Sequence, residues 1–206
     1  MEQRTDDWFL ARCGKVTASA IYKVMARTKT GWGADRANYA AQLVSERLTG
    51  RPADSFTNAA MQWGIDTEAQ ARAMYELETG NGVIECGFFD HPEIAMSGAS
   101  PDGLIGTDGL IEIKCPNSAT HIATLRGAGI DGKYIKQMQW QMACTGTQWC
   151  DFVSFDPRLP DEMQMHITRV ERDEEMLADI SAHVTEFLAE VDATVADLTE
   201  RYRKAA

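Results

Sequence analysis

Two short stretches constrain this chain more than any other part of it. Ser100-Pro101-Asp102-Gly103 sets a proline turn ahead of an aspartate, and after a connection containing Asp108-Gly109 the chain runs Leu110-Ile111-Glu112-Ile113-Lys114. Successive side chains of a strand point to opposite faces. The pattern therefore predicts a hairpin with Ile111 and Ile113 on one face and Glu112 and Lys114 on the other. Asp102 lies one hairpin arm earlier, where it meets Glu112 across the turn. Two carboxylates and one ammonium then converge on one point. Metal-assisted phosphodiester cleavage needs this set: hard oxygen ligands for Mg²⁺ and a cation beside the attacking water. The carbonyl of Ile113 offers a third oxygen. Lys114 would orient or deprotonate the water and stabilise charge on a phosphorane-like transition state. Alone, Asp-x9-Glu-x-Lys is a loose pattern. A surface hairpin with a Glu–Lys pair worth less than about 1 kcal/mol would show it too. Ile111 and Ile113 favour the site, because they fix the strand and set the charges opposite a buried face.

The 206 residues suffice for one domain, residues 1–206, with a sizeable core. No apolar run reaches the length of a membrane span, and the first residues carry no signal-peptide pattern. Localisation in the cytoplasm is expected. Cys13, Cys86, Cys115, Cys144 and Cys150 are odd in number and form no Cys-x-x-Cys pair, so they read as reduced packing residues. The net charge of −11 argues against a general nucleic-acid binder. It leaves room for an enzyme that gathers its cations in one cleft. Much of the acidity lies between Glu171 and Glu200 and reads as the outer face of a helix.

Helices are predicted after Thr17-Ala18-Ser19, over residues 35–49 with a stop at Gly50, from about Asn58 to Thr79, and from Gly132 to Cys144. The apolar spacing of Leu177, Ile180, Val184, Phe187, Val191, Val195, Leu198 and Tyr202 predicts a long amphipathic helix. Strands are predicted over Val83–Phe89 and Ile94–Ser97 with a turn at Asp90-His91-Pro92, over the central hairpin, and over Asp151–Phe155 and Met163–Ile167. Residues 29–33 read as a loop. The order points to an α/β fold with one central mixed sheet flanked by helices.

Glu68 shares a helix face with Gly64, one turn earlier. Glycine in a helix interior costs up to about 1 kcal/mol, which suggests close approach of a neighbour there and a Glu68 facing the metal pocket. Gln137 and Gln141, at i and i+4, share a face that Gln139 does not. An amide in a nuclease cleft can donate to a phosphate oxygen, although solvated glutamines are the simpler reading. His91, His121, His166 and His183 show no metal spacing.

Several motifs in register resemble the YqaJ-like viral recombinase family, the family of lambda-type exonucleases. They are Trp8, Arg12, Gly14 and Thr17-Ala18-Ser19; Trp63-Gly64 with Glu68; Ser100-Pro101-Asp102-Gly103-Leu104; Glu112-Ile113-Lys114-Cys115-Pro116; and Gln137-Met138-Gln139. Asp156-Pro157-Arg158 and Val170-Glu171-Arg172-Asp173-Glu174 extend the resemblance over nearly the whole chain. It implies a restriction-endonuclease-like core and a two-metal, Mg²⁺-dependent exonuclease, with Mn²⁺ substituting. Such an enzyme digests one strand of linear double-stranded DNA processively from a 5′-phosphate end and leaves a 3′ overhang. It also implies a ring-shaped homotrimer, a single-strand annealing protein as partner, no membrane association, and a phage or prophage protein in a bacterial host. By position, Asp102, Glu112 and the Ile113 carbonyl would bind metal, Lys114 would serve the nucleophile and Glu68 would support the site. Arg12, Ser19, Ser100 and Gln137 would hold the 5′-terminal phosphate, and Met61 would be a wedge at the end base pair. A non-catalytic DNA-end binder that recruits an annealing protein is the alternative; the intact Asp102, Glu112 and Lys114 set speaks against it.

Overall fold

A computed structural model describes residues 2–53 and 58–202. The chain opens with α1 (Asp6–Arg12), whose first turn is capped by Thr5, with Asp6 and Asp7 set against the helix dipole. Next come β1 (Val16–Thr17), a 3-10 turn over Ala18–Ala20, and α2 (Ile21–Val24). A small hairpin follows, β2 (Arg27–Thr28) and β3 (Gly31–Trp32), where the sequence read as a loop. Then come α3 (Ala34–Thr49) and α4 (Ala59–Thr79), closed by left-handed Gly50 and Gly80 as their stop signals predict.

The middle of the chain holds β4 (Val83–Ile84), β5 (Phe89–Asp90), β6 (Ser97–Ala99), β7 (Gly103–Ile105) and β8 (Gly109–Lys114). The two longer strands expected over 83–97 are thus shortened and shifted. His91 Nδ1 accepts from the backbone N–H groups of Glu93 and Ile94 at 3.1 and 3.0 Å, which extends the turn after β5 and leaves Ile94 outside any strand. The chain ends with α5 (Ser118–Leu125), α6 (Gly132–Thr145), β9 (Trp149–Phe155), β10 (Met165–Glu171) and α7 (Glu174–Tyr202).

The main sheet has the order β10-β9-β8-β7-β4; β8 and β9 run parallel and the other neighbours antiparallel. This is the mixed sheet that the sequence predicts. A smaller sheet, β1-β6-β5, stands beside it. Both faces of β8 are covered. Ile111 and Ile113 pack with Ala71 and Tyr75 of α4 and with Val153 and Phe155 of β9. Leu110 packs on the other side with Met138 and Met142 of α6 and with Cys150 and Phe152. The face expected to carry the charges in the open is therefore roofed by α6. A third cluster joins α2, α3, α6 and α7 through Ile21, Leu43, Trp140, Val184 and Phe187.

The acidic face of α7 is only partly solvated. Arg36, itself buried, donates to both carboxylate oxygens of Glu190 at 2.5 and 3.0 Å, and Arg47 pairs with Asp192. All five cysteines are free, as expected. Among the described residues no helix is long and apolar enough to cross a membrane.

The start of β8 depends on close packing. Gly109 pairs with Trp149, and a Cβ at position 109 would lie 2.2 Å from the indole ring. That ring has little room to move. The Arg169 guanidinium lies 3.6 Å from its centroid and is anchored by two hydrogen bonds to the buried Asp151, at 2.8 and 2.9 Å. Gly109→Ala should lower stability by about 1–3 kcal/mol through overpacking, read as a lower urea midpoint with an unchanged slope.

Candidate active site

The turn at Pro101 delivers Asp102 to the edge of β8. Gly103 pairs with Ile111, so Asp102 stands opposite Glu112 as the sequence predicts. One Asp102 carboxylate oxygen accepts from the backbone N–H of Ile113 at 2.7 Å. Glu112 points to the α6 side and is completely buried. A buried carboxylate needs hydrogen-bond partners, and both of its oxygens have them. Oε1 accepts from the Lys114 ammonium and from Gln137 Nε2 at 2.7 Å, while Oε2 accepts from Gln141 Nε2 at 2.6 Å. Gln137 and Gln141 are thus neither solvated nor idle. Gln139, on the other face of α6, ties that helix to the start of α7 through Glu171 and Asp173.

Glu68 enters from α4. It accepts from Arg72 one turn along at 2.9 Å and from Arg4 at 2.6 Å. Burial, with the negative charges of Glu112 and Glu68, pushes Asp102 up to about 8. Burial alone would lower Lys114, but Glu112 and Asp102 outweigh it and hold the ammonium above the ordinary lysine value.

These groups border a cleft of about 610 Å³ between α4 and the first turn of α6. Asp102, Ile113, Lys114, Glu68, Ser19 and Met61 all line it, as do Arg4 and Tyr134. Met61 is half exposed at its rim. Gly64 also faces this space. Apart from its chain neighbours and its own helix backbone, no atom of a described residue lies within 4 Å of where its Cβ would stand, so no other element approaches it, contrary to expectation.

Arg12 and Ser100 sit apart from the cleft lining and are joined through Trp8. The Arg12 guanidinium lies 3.9 Å from the Trp8 ring centroid, and the indole N–H donates to Ser100 Oγ at 2.9 Å. Arg12 lines a smaller pocket of about 200 Å³ with Tyr39 and Glu46, and burial lowers its pKa to about 10. No side-chain hydrogen bond joins any two of Arg12, Ser19, Ser100 and Gln137 among the described residues. Sequence reasoning gave no role to Arg4, Trp8, Tyr134 or Arg72. The i, i+4 pairing of Gln137 with Gln141 was the one visible sign that Glu112 has a second amide partner.

The donor set suits a hard divalent cation. Among the described residues no three His, Cys, Asp or Glu side chains are gathered as a complete metal cage. Mg²⁺ sites in proteins commonly use only one or two carboxylates, with water and substrate phosphate completing the octahedron. Asp102, Glu112 and the Ile113 carbonyl are such a partial set, and the crowding of Asp102 by Glu112 and Glu68 is the kind of excess negative charge that a cation relieves.

A mixed sheet with paired carboxylates and a lysine at the end of a central strand, flanked by helices on both faces, defines a restriction-endonuclease-like fold. The sequence profile of the YqaJ-like viral recombinase domain matches residues 7–148, and the chain belongs to that family. Among solved structures it is similar to LHK-Exo, an alkaline exonuclease from Laribacter hongkongensis, with 54% identity, a TM-score of 0.90, and 98% of this chain and 100% of the other covered. The crystal structure of LHK-Exo in complex with dAMP gives a TM-score of 0.91 at the same identity and coverage. A phage-related exonuclease from Haemophilus somnus 129PT shares the fold at 17% identity and a TM-score of 0.68, with 89% of this chain and 96% of that one covered. No protein of the curated set matches the chain.

Asp102 is raised well above its unfolded value, so the folded protein holds a proton there that the unfolded chain has lost. The resulting destabilisation is absent at low pH, grows as pH climbs from about 4 towards 8, and is complete above that. Melting of the metal-free protein in EDTA should therefore fall over this window by about ten degrees or more, at about 1.4 kcal/mol per pKa unit and about 2–4 °C per kcal/mol for a chain of this size. Asp102→Asn should flatten the dependence; an unchanged pH profile in that variant would contradict the burial and crowding described.

Proposed function

We propose that this protein is a Mg²⁺-dependent, two-metal exonuclease that digests one strand of linear double-stranded DNA processively from its 5′ end. It would leave 3′ overhangs for single-strand annealing recombination. The reading is carried by Asp102 and Lys114 in the lining of an open cleft, with Glu112 buried directly behind Lys114. Membership of the viral recombinase family and similarity to an alkaline exonuclease over nearly the full chain support it.

Asp102, Glu112 and the Ile113 carbonyl would hold Mg²⁺, or Mn²⁺ in its place; the bound metal supplies Lewis acidity and neutralises charge at the scissile phosphate. Lys114, fixed beside Glu112, positions the attacking water and offers a cation to the charge that develops in the transition state. Glu68 supports the site from α4, where Arg72 fixes its carboxylate. Arg12 offers a planar fork suited to a terminal phosphate, held over the Trp8 ring. Ser100, on the other edge of Trp8, together with Ser19 and Gln137, would complete that pocket. Gln137 spends one amide N–H on Glu112 and keeps a second for phosphate. Met61, an unbranched apolar side chain at the cleft rim, suits a wedge against the end base pair.

The working form would be a homotrimeric ring around the duplex, acting in the cytoplasm of a phage-carrying bacterium with a single-strand annealing protein as partner. A ring reconciles the net charge of −11 with a DNA substrate. Topology retains the enzyme on its track, and positive charge is needed only along the channel.

Linear 5′-phosphorylated duplex compared with closed circular DNA tests the reading. Digestion of the linear form alone, and only with Mg²⁺, is expected. Cleavage of circles would indicate an endonuclease, and binding without cleavage an end-binding module. Asp102→Ala and Glu112→Ala should each abolish nucleotide release in a folded protein. Lys114→Ala should slow single-turnover cleavage about 10²-fold with little change in DNA affinity. Arg12→Ala should erase the preference for 5′-phosphate over 5′-hydroxyl ends in a competition assay.

A further inference from the structure

We propose that Arg4 is a phosphate-contacting residue at the mouth of the cleft, gripping the DNA backbone beside the scissile linkage. This rests on the nuclease reading above. Arg4, Glu68 and Asp102 each line both the cleft and a second cavity of about 420 Å³, so Arg4 stands where the two spaces meet.

Its backbone is left-handed, with φ +67°; among the described residues only Met96 shares this without being glycine. Such a conformation costs about 1–2 kcal/mol, and the residues on either side enforce it. Gln3 Nε2 donates to the carbonyls of Cys86 and Pro101 at 2.9 and 2.8 Å, which pins the segment beside Asp102. Thr5 donates to the Glu2 carbonyl at 2.8 Å and caps α1. Between these anchors the chain turns at Arg4, whose side chain reaches Glu68.

Neutralising Glu68 does not account for this arrangement. Arg72, far more buried, already pairs with that carboxylate, and the Arg4 side chain is 44% exposed. A pair that exposed is worth about 0–1 kcal/mol, less than the strained backbone costs. The pair uses one of the five donors of the guanidinium. Glu68 and Glu112 set negative charge beside the path of an incoming phosphodiester. Among the described residues two cations line the cleft, and Lys114 gives one of its three donors to the buried Glu112 and is placed for the attacking water. Arg4 keeps four of its five donors and is not needed for the water, and a guanidinium fork matches two phosphate oxygens.

The test is fluorescence anisotropy of a 5′-phosphorylated linear duplex at several salt concentrations, with Ca²⁺ in place of Mg²⁺ to limit cleavage. Arg4→Gly removes the side chain at a position whose backbone glycine prefers, so it should fold at least as stably as the parent. It should bind about tenfold more weakly, the loss of one charge-assisted hydrogen bond. Its log–log salt slope should shrink by about 0.9, the release of one phosphate contact. Arg4→Lys should restore the slope. A parental slope in Arg4→Gly, or a lost slope that Arg4→Lys does not recover, would overturn the proposal while leaving the nuclease reading intact. A parent protein that does not bind linear duplex at all would overturn that reading and this inference with it.

Discussion

Everything at this site depends on the charge of Glu112 being tolerated inside the sheet. A lone carboxylate taken out of water at that depth would be far too costly to keep ionised. Lys114, Gln137 and Gln141 make it affordable, two of them reaching down from α6. The helix that roofs β8 with Met138 and Met142 is therefore also the helix that solvates its acid. Hydrophobic covering and polar satisfaction come from one element, and the position of Glu112 is as firm as the core itself. Asp102 gains the same firmness by a different route, through its hydrogen bond to the Ile113 backbone.

How much of this was legible in the sequence follows from how local each feature is. The alternation of Leu110 to Lys114 is local and strong, and the structure places Glu112, Lys114 and Asp102 as that alternation implies. Helices α3, α4, α6 and α7 announce themselves by stop signals or a long apolar stripe. Helices α1 and α5 do not. They span seven and eight residues, and each buries a single side chain, Trp8 or His121. No periodicity can emerge from one buried position; only the caps at Thr5 and Asn117 mark them.

The burial of Glu112 was hidden for another reason. Period-two alternation shows which side chains share a face and says nothing of what covers that face. The alternation of β8 reads as half-buried, yet α4 lies on one side of the strand and α6 on the other. Gly64 misled in a similar way. A glycine in a helix signals room for an approach, but the visitor need not belong to the same chain, and here the space it leaves is part of the open cleft. The Arg12–Trp8–Ser100 chain joins residues far apart in sequence and could not be read from either end.

The double duty of α6 has a mechanical corollary. Its middle turns grip the sheet through Met138 and Met142, while Tyr134, one turn earlier, stands in the cleft wall. A methionine reshaped beneath the helix would tilt the wall above it, so changes made for sturdiness deep in the protein would register at the opening where a substrate enters. Robustness and reactivity are here set by the same rigid rod, and neither can drift far without the other.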